Sequence, residues 1–231
     1  LEQSLHPLVY TPGDNEWVDC HRTGFDPLER LAFLRSVFFP VDDPLREGLN
    51  ITRQSAEYPE NLRWRQGGVT FLTINVSGDN NNLGNGPAGD AEFHVRNAAN
   101  LQWLDLGFEL ASAKGSPAVV VFMHGSPEFN LPPDKRSGFN DLLDALERRA
   151  LSFRKPVLLV HGDTHYFRID KPMTSASTSE TPKRVENITR VESFGSPDLH
   201  WIRVSVDLDD PEIFTFSPEI VEANVGLAGK G

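Results

Sequence analysis

Three short polar runs carry the residues most capable of chemistry: Pro12-Gly13-Asp14-Asn15-Glu16-Trp17, Phe122-Met123-His124-Gly125 and Val160-His161-Gly162-Asp163-Thr164-His165. Each sets Asp, Asn or His just past an apolar stretch, where a strand would stop. Carboxylate, amide and imidazole groups together suit a hard or borderline divalent cation (Mn, Fe, Zn or Mg) better than a soft thiolate site would. Such a cation acidifies water and polarises an ester at neutral pH. The first reading is therefore a metal-dependent hydrolase.

For these groups to meet, the elements before them must end on one side of the molecule. Residues 119–123 and 157–160 are β-branched or aliphatic runs with the length of fully buried strands. In an α/β sheet, ligands collect just past the carboxyl ends of such strands. Leu8-Val9-Tyr10 predicts a strand running into the Pro12-Gly13 turn. Asp26 reads as an N-cap with Pro27 at the first helical position, and Leu28, Leu31, Leu34 and Phe38 space out an amphipathic helix ending before Pro40.

Residues 41–66 read as a polar segment, 69–76 as an alternating strand and 77–90 as a loop rich in Gly and Asn. Leu101, Leu104, Phe108 and Ala111 predict a helix over 98–114, and Leu142, Leu143, Leu146 and Leu151 a second over 140–152. Strand, helix, strand, helix, strand argues an α/β fold with parallel pairing. Beyond Phe167, 174–181 are polar and low in complexity, while 188–194 and 200–206 alternate and predict a meander on a second sheet. No internal repeat is present.

The chain has 231 residues, 39% of them hydrophobic, and no Gly/Ser or Pro linker divides the motifs, so a single domain is expected. A formal net charge of -11 disfavours binding to nucleic acid backbones or anionic membranes, which are polyanions. No apolar run approaches the roughly 20 residues of a membrane span. Cys20 is the one cysteine, which excludes an intrachain disulfide and a thiolate cluster and reads as a small buried residue.

The three runs resemble, in order, the later motifs of the calcineurin-like metallophosphoesterase family. Gly13-Asp14-Asn15-Glu16 is similar to its Gly-Asn-His-Glu motif, which makes Asp14 a metal ligand and sets Asn15 where the general acid belongs. Another register makes Asn15 itself the ligand, and an Asn amide supplies no proton at neutral pH. His124 resembles the family's lone metal-binding His. Gly162-Asp163-Thr164-His165 resembles its closing Gly-His-x-His motif, with Asp163 and His165 as ligands and His161 able to substitute. Gly78-Asp79-Asn80-Asn81-Asn82 looks like the Asn-rich loop of some bacterial members.

The resemblance implies a phosphate-ester substrate, two divalent metals and catalytic roles at Asn15 and His124. It implies an α/β/β/α sandwich of two mixed sheets flanked by helices, with 1–231 as one partial domain. Members of this branch are often exported, to the periplasm or beyond. The family's opening Asp-x-His and Gly-Asp-x-x-Asp motifs are absent, and position 1 is Leu rather than Met, so the first strands and their ligands are expected to be missing. Without a bridging carboxylate, two cations about 3.5 to 4 Å apart repel each other. This chain alone is then expected to be weakly active or inactive.

Two rivals stand beside this reading. An α/β-hydrolase would need a Gly-x-Ser-x-Gly elbow, and none of Ser126, Ser137 or Ser152 sits in one. A noncatalytic relative would keep the scaffold as a binding module.

Overall fold

Val119–Phe122 and Val157–His161 are short, almost wholly apolar and bounded by Pro and Gly, so they bury both faces and pair side by side as central strands. In the computed structural model, which describes residues 6–40, 48–175 and 182–225, they form the middle of a seven-stranded mixed sheet. Its strands are β1 (Thr52–Arg53), β2 (Leu62–Gln66), β3 (Val69–Thr73), β4 (Val119–Phe122), β5 (Val157–His161), β6 (Arg168–Asp170) and β9 (Ile188–Glu192). They lie in the order β1-β2-β3-β4-β5-β9-β6. The junctions β3-β4, β4-β5 and β5-β9 are parallel, and those toward the two edges are antiparallel. The carboxyl ends of β3, β4 and β5 therefore open on the same side.

One face of the sheet is covered by helices. Asp26 caps α1 (Pro27–Phe38) by accepting from the Leu28 amide, as its sequence predicts, and this helix packs Leu34 against Leu62 and Trp64 at the edge of the opposite face. The helices α2 (Gly86–Ala113) and α3 (Asn140–Phe153) pack against the sheet through Leu104, Phe108, Leu142 and Leu146, which meet Leu72, Val121 and Leu159. The other face, built by Val120, Leu158 and Val191, is covered by a hairpin of β10 (Trp201–Val206) and β11 (Phe214–Glu219). The hairpin turns Ile202, Val204, Phe214 and Phe216 toward the sheet at alternate positions. A further pair, β7 (Thr174–Ser175) with β8 (Lys183–Arg184), completes the strands. The class is mixed α/β, and among the described residues no helix is long and apolar enough to cross a membrane.

Several elements differ from the sequence expectation. Residues 8–10 form no strand; Val9 and Tyr10 are used in packing, with the Tyr10 and Phe38 ring centroids 5.0 Å apart. The helix predicted over 98–114 begins at Gly86, twelve residues earlier. Gly86, Pro87 and Gly89 read as a turn, yet Pro in the first helical turn lacks only an N–H that would be unpaired there anyway. The segment 41–66 contains β1 and β2; Leu62 and Trp64 alternate with Arg63 and Arg65, and Trp64 stacks on Phe71 at 5.2 Å. Residues 188–194 and 200–206 do not form a meander together, because β9 enters the main sheet beside β5 and only β10 joins the second sheet. Of the polar stretch 174–181, residues 176–181 lie outside the described residues.

Candidate metal centre

Asp14 is presented by a tight loop that its own backbone closes. Its carbonyl accepts from the amides of Trp17 and Asp19, both at 3.0 Å, and the chain turns into a short 3-10 helix, Val18–Thr23. Trp17 is fully buried beneath it. Glu16 reaches back to accept from the Gly13 amide at 2.8 Å, so this carboxylate shapes the loop. His124 follows β4, with its amide and that of Gly125 both donating to the Val76 carbonyl. A side chain on Gly125 would strike the Ser77 carbonyl oxygen, so Gly is what lets these two strand ends touch. Asp163 follows β5 in a left-handed conformation (φ 81°), and its Oδ2 accepts from the Ser126 amide at 2.8 Å.

These three side chains converge. Asp14, His124 and Asp163 each offer a ligand atom within 4.8 Å of the others. His124 Nε2 donates to Asp14 Oδ1 at 2.9 Å. Gly78 forms the floor between the carboxylates: a methyl there would fall on Asp14 Oδ2 and lie 2.7 Å from Asp163 Oδ1.

The charges are arranged as a site for a cation. The hydrogen bond from His124 holds the Asp14 carboxyl below its usual range, against the opposing effect of burial. Burial pulls the His124 ring down, but the Asp14 bond and the negative charges of Asp14, Asp163 and Glu16 prevail and raise it. Burial pushes Asp163 up, and the Ser126 amide bond counters this only in part. Two carboxylates thus lie beside one imidazole, whose Nε2 bonds Asp14, within reach of a single cation.

The donor set fits such an ion. One imidazole and two carboxylates suit Mn, Fe or Zn, and a three-ligand site leaves positions open for water or substrate. Ser77 Oγ and Ser126 Oγ, on the loops flanking the triad, are buried without a hydrogen-bond partner. Buried polar atoms are ordinarily satisfied, so these two mark a locale suited to a further polar occupant.

Neither His161 nor His165 belongs to that three-residue group. Asn15 is exposed, and what it gives Asp14 is a backbone N–H at 2.9 Å. His165 is exposed in a left-handed conformation, its Nδ1 2.7 Å from the Ser196 carbonyl, to which it donates. His161 is 2% exposed and lies opposite Glu192 in the β5-β9 register. Its Nδ1–H donates to the Gly162 carbonyl at 3.0 Å, and its Nε2 has no partner. His21 and Arg22 are exposed, with Arg22 paired to Asp19 at 2.7 Å.

The Asn-rich run that the sequence singled out at 78–82 forms the wall that carries Gly78, although Gly78 itself was not expected to shape the site. Asp79, Asn80, Asn81 and Asn82 run consecutively in the left-handed region, with φ of 51°, 51°, 58° and 70°. Such a residue costs on the order of 1–3 kcal/mol, less for Asn and Asp than for others. Side-chain bonds offset that cost: Asn80 Oδ1 accepts from the Gly138 amide at 2.9 Å, Asn81 Nδ2 donates to the Gly138 carbonyl at 3.0 Å, and Asn85 Nδ2 donates to Asp79 Oδ2 at 2.9 Å. The Asn run in the sequence was the signal for this turn. No family model matches the chain, and no curated protein matches it.

Proposed function

We propose that this chain is a metal-dependent phosphoric ester hydrolase of the calcineurin-like kind, its layers those of a metallophosphoesterase sandwich. The observation that carries the reading is the meeting of Asp14, His124 and Asp163 within 4.8 Å, past the ends of adjacent parallel strands. A divalent cation, when bound, would supply Lewis acidity toward a phosphoryl oxygen and a nucleophilic water near neutral pH.

The protein's own residues have distinct tasks. Asp14 and Asp163 would hold the cation, with the Ser126 amide fixing the Asp163 carboxylate and the bare Cα of Gly78 leaving room between them. His124 either completes the ligand set or, protonated, offers its Nε2 proton to a phosphoryl or leaving-group oxygen. Nε2 bonds Asp14 Oδ1 at 2.9 Å, and either role requires its release from that carboxylate. The amide of Asn15 cannot act as an acid, so proton delivery falls to His124.

A second reading, a noncatalytic metallophosphoesterase-like binding module, is favoured by an amide at Asn15 where an acid would be needed and by His165 turning its Nδ1 to the Ser196 carbonyl. The test is to titrate metal-free chain with Mn²⁺ or Zn²⁺ and follow p-nitrophenyl phosphate hydrolysis. Saturable uptake is expected, with hydrolysis that Asp163→Asn lowers by about a hundredfold or more, the scale of losing a group that acts on the transition state. Uptake without hydrolysis selects the module, and absence of uptake ends the enzyme reading.

A further inference from the structure

We infer that Arg96 is the positioning residue of the metal centre, clamping the Gly78 turn and the Trp17 loop into one wall behind Asp14 and Asp163. The inference rests on the metal-centre reading. Arg96 lies on α2 and is 1% exposed, yet each of its N–H donors is used. Nη1 donates to the Asn75 carbonyl and to Asn81 Oδ1, both at 2.7 Å. Nη2 donates to the Asn81 carbonyl at 3.0 Å and to Glu92 Oε2 at 3.1 Å, and Nε donates to Glu92 Oε1 at 2.5 Å. The guanidinium also lies over the Trp17 ring, 5.2 Å from its centroid.

Neutralising a buried cation would require only Glu92. The three remaining bonds go to two segments on either side of Gly78, the exit of β3 and the left-handed Asn turn. Glu92 in turn accepts from Asn82 Nδ2 at 2.9 Å, tying the far end of the turn to the same helix. Through Trp17, whose amide bonds the Asp14 carbonyl, the clamp reaches the loop that presents the first ligand. Residues that orient ligands from behind typically change metal affinity 10–100-fold when altered. A lysine has no planar fork and cannot make these bonds together, so charge alone does not replace Arg96.

The experiment compares Mn²⁺ affinity and thermal melting in the wild-type 231-residue chain, Arg96→Lys, Asn81→Gly and Asn81→Asp. Asn81→Gly guards against loss of folding, because Gly adopts φ 58° freely while removing the acceptor on Nη1. The expected result is a tenfold or greater loss of Mn²⁺ affinity in Arg96→Lys and Asn81→Gly, measured well below their melting temperatures, which fall because buried partners of Arg96 and Asn81 lose their bonds. The Mn²⁺ electron paramagnetic resonance spectrum should change, and Asn81→Asp, which keeps the acceptor, should recover most of the affinity. Wild-type affinity and spectrum in folded Arg96→Lys and Asn81→Gly overturn the role of Arg96 and leave the centre standing. Should wild type itself take up no Mn²⁺, the centre is lost, and amide exchange at 78–82 decides the clamp: faster in the variants supports it, unchanged overturns it.

Discussion

Gly78→Ala is expected to lower divalent-cation affinity by about a hundredfold or more while lowering the stability of the metal-free fold by only about 1 kcal/mol, the scale of one lost hydrogen bond. Gly78 does not have a positive φ, so alanine meets no backbone strain there and slightly reduces the entropy of the unfolded chain. The added methyl instead falls on Asp14 Oδ2 and 2.7 Å from Asp163 Oδ1, so one or both carboxylates must turn aside. Asp14 cannot turn without breaking its bond to His124, so all three ligand groups are disturbed together. Calorimetric titration with Mn²⁺ beside a thermal melt separates the two effects. Wild-type affinity in Gly78→Ala would mean that cation binding, if present, lies elsewhere.

Acid should unfold this protein through His161. Burial pulls this imidazole down to about 4, with the Arg190 and Arg168 charges acting in the same direction and Glu192 opposing them. In the unfolded chain the ring titrates near 6.5, a value typical of free histidine. Between those two values the unfolded state binds more protons, so stability is complete above about pH 6.5 and falls as pH drops toward about 4, by roughly 3 kcal/mol at the acid limit. That is a large part of the 5–15 kcal/mol typical of a domain.

Other groups of the centre act in other directions. The raised His124 adds stability at low pH that fades as pH rises through its folded value, and the lowered Asp14 adds stability that is lost as pH falls below the usual carboxylate range. Comparing urea unfolding of wild type and His161→Gln at pH 7 and pH 4.5 isolates the histidine, because the remaining groups are common to both. The variant should lose much less stability on acidification. Equal losses in the two proteins would show that His161 is not the acid-sensitive group.

Much of the scaffold was legible because local signals and tertiary demands agree there. The Asp26-Pro27 start of α1, the β-branched runs of β4 and β5 and the inward Leu142, Leu143 and Leu146 of α3 each specify one structure by themselves, whereas Leu151, expected inward with them, is exposed at the end of the helix. The front of α2 was illegible for the opposite reason. Gly86, Pro87 and Gly89 are turn residues by propensity, and the inward face beyond them carries Arg96, Asn97 and Asn100, so the apolar periodicity starts only further along. Residues 188–192 alternate as well as any hairpin strand, and nothing local says that they pair in parallel with β5 across a long connection.

The candidate site divides in the same way. Asp14, His124 and Asp163 could be picked out because each follows a strand or turn signal; parallel pairing of β4 and β5 brings His124 to Asp163, and the loop after Gly13 brings Asp14 to them. His165 shares their residue type and spacing, but a left-handed backbone turns its ring to Ser196, a choice of φ that residue identity does not reveal. Gly78 and Arg96 act through an absent side chain and through bonds to backbone, neither of which has a chemical signature in a sequence.

The central claim is that one cation sits among Asp14, His124 and Asp163. Crystals of the full chain soaked in Zn²⁺ and measured at the zinc absorption edge test it directly. The structure predicts one anomalous peak about 2.0–2.2 Å from a carboxylate oxygen of Asp14, one of Asp163 and a ring nitrogen of His124. A peak held by His161 or His165 without that triad, or no bound zinc at all, would contradict it.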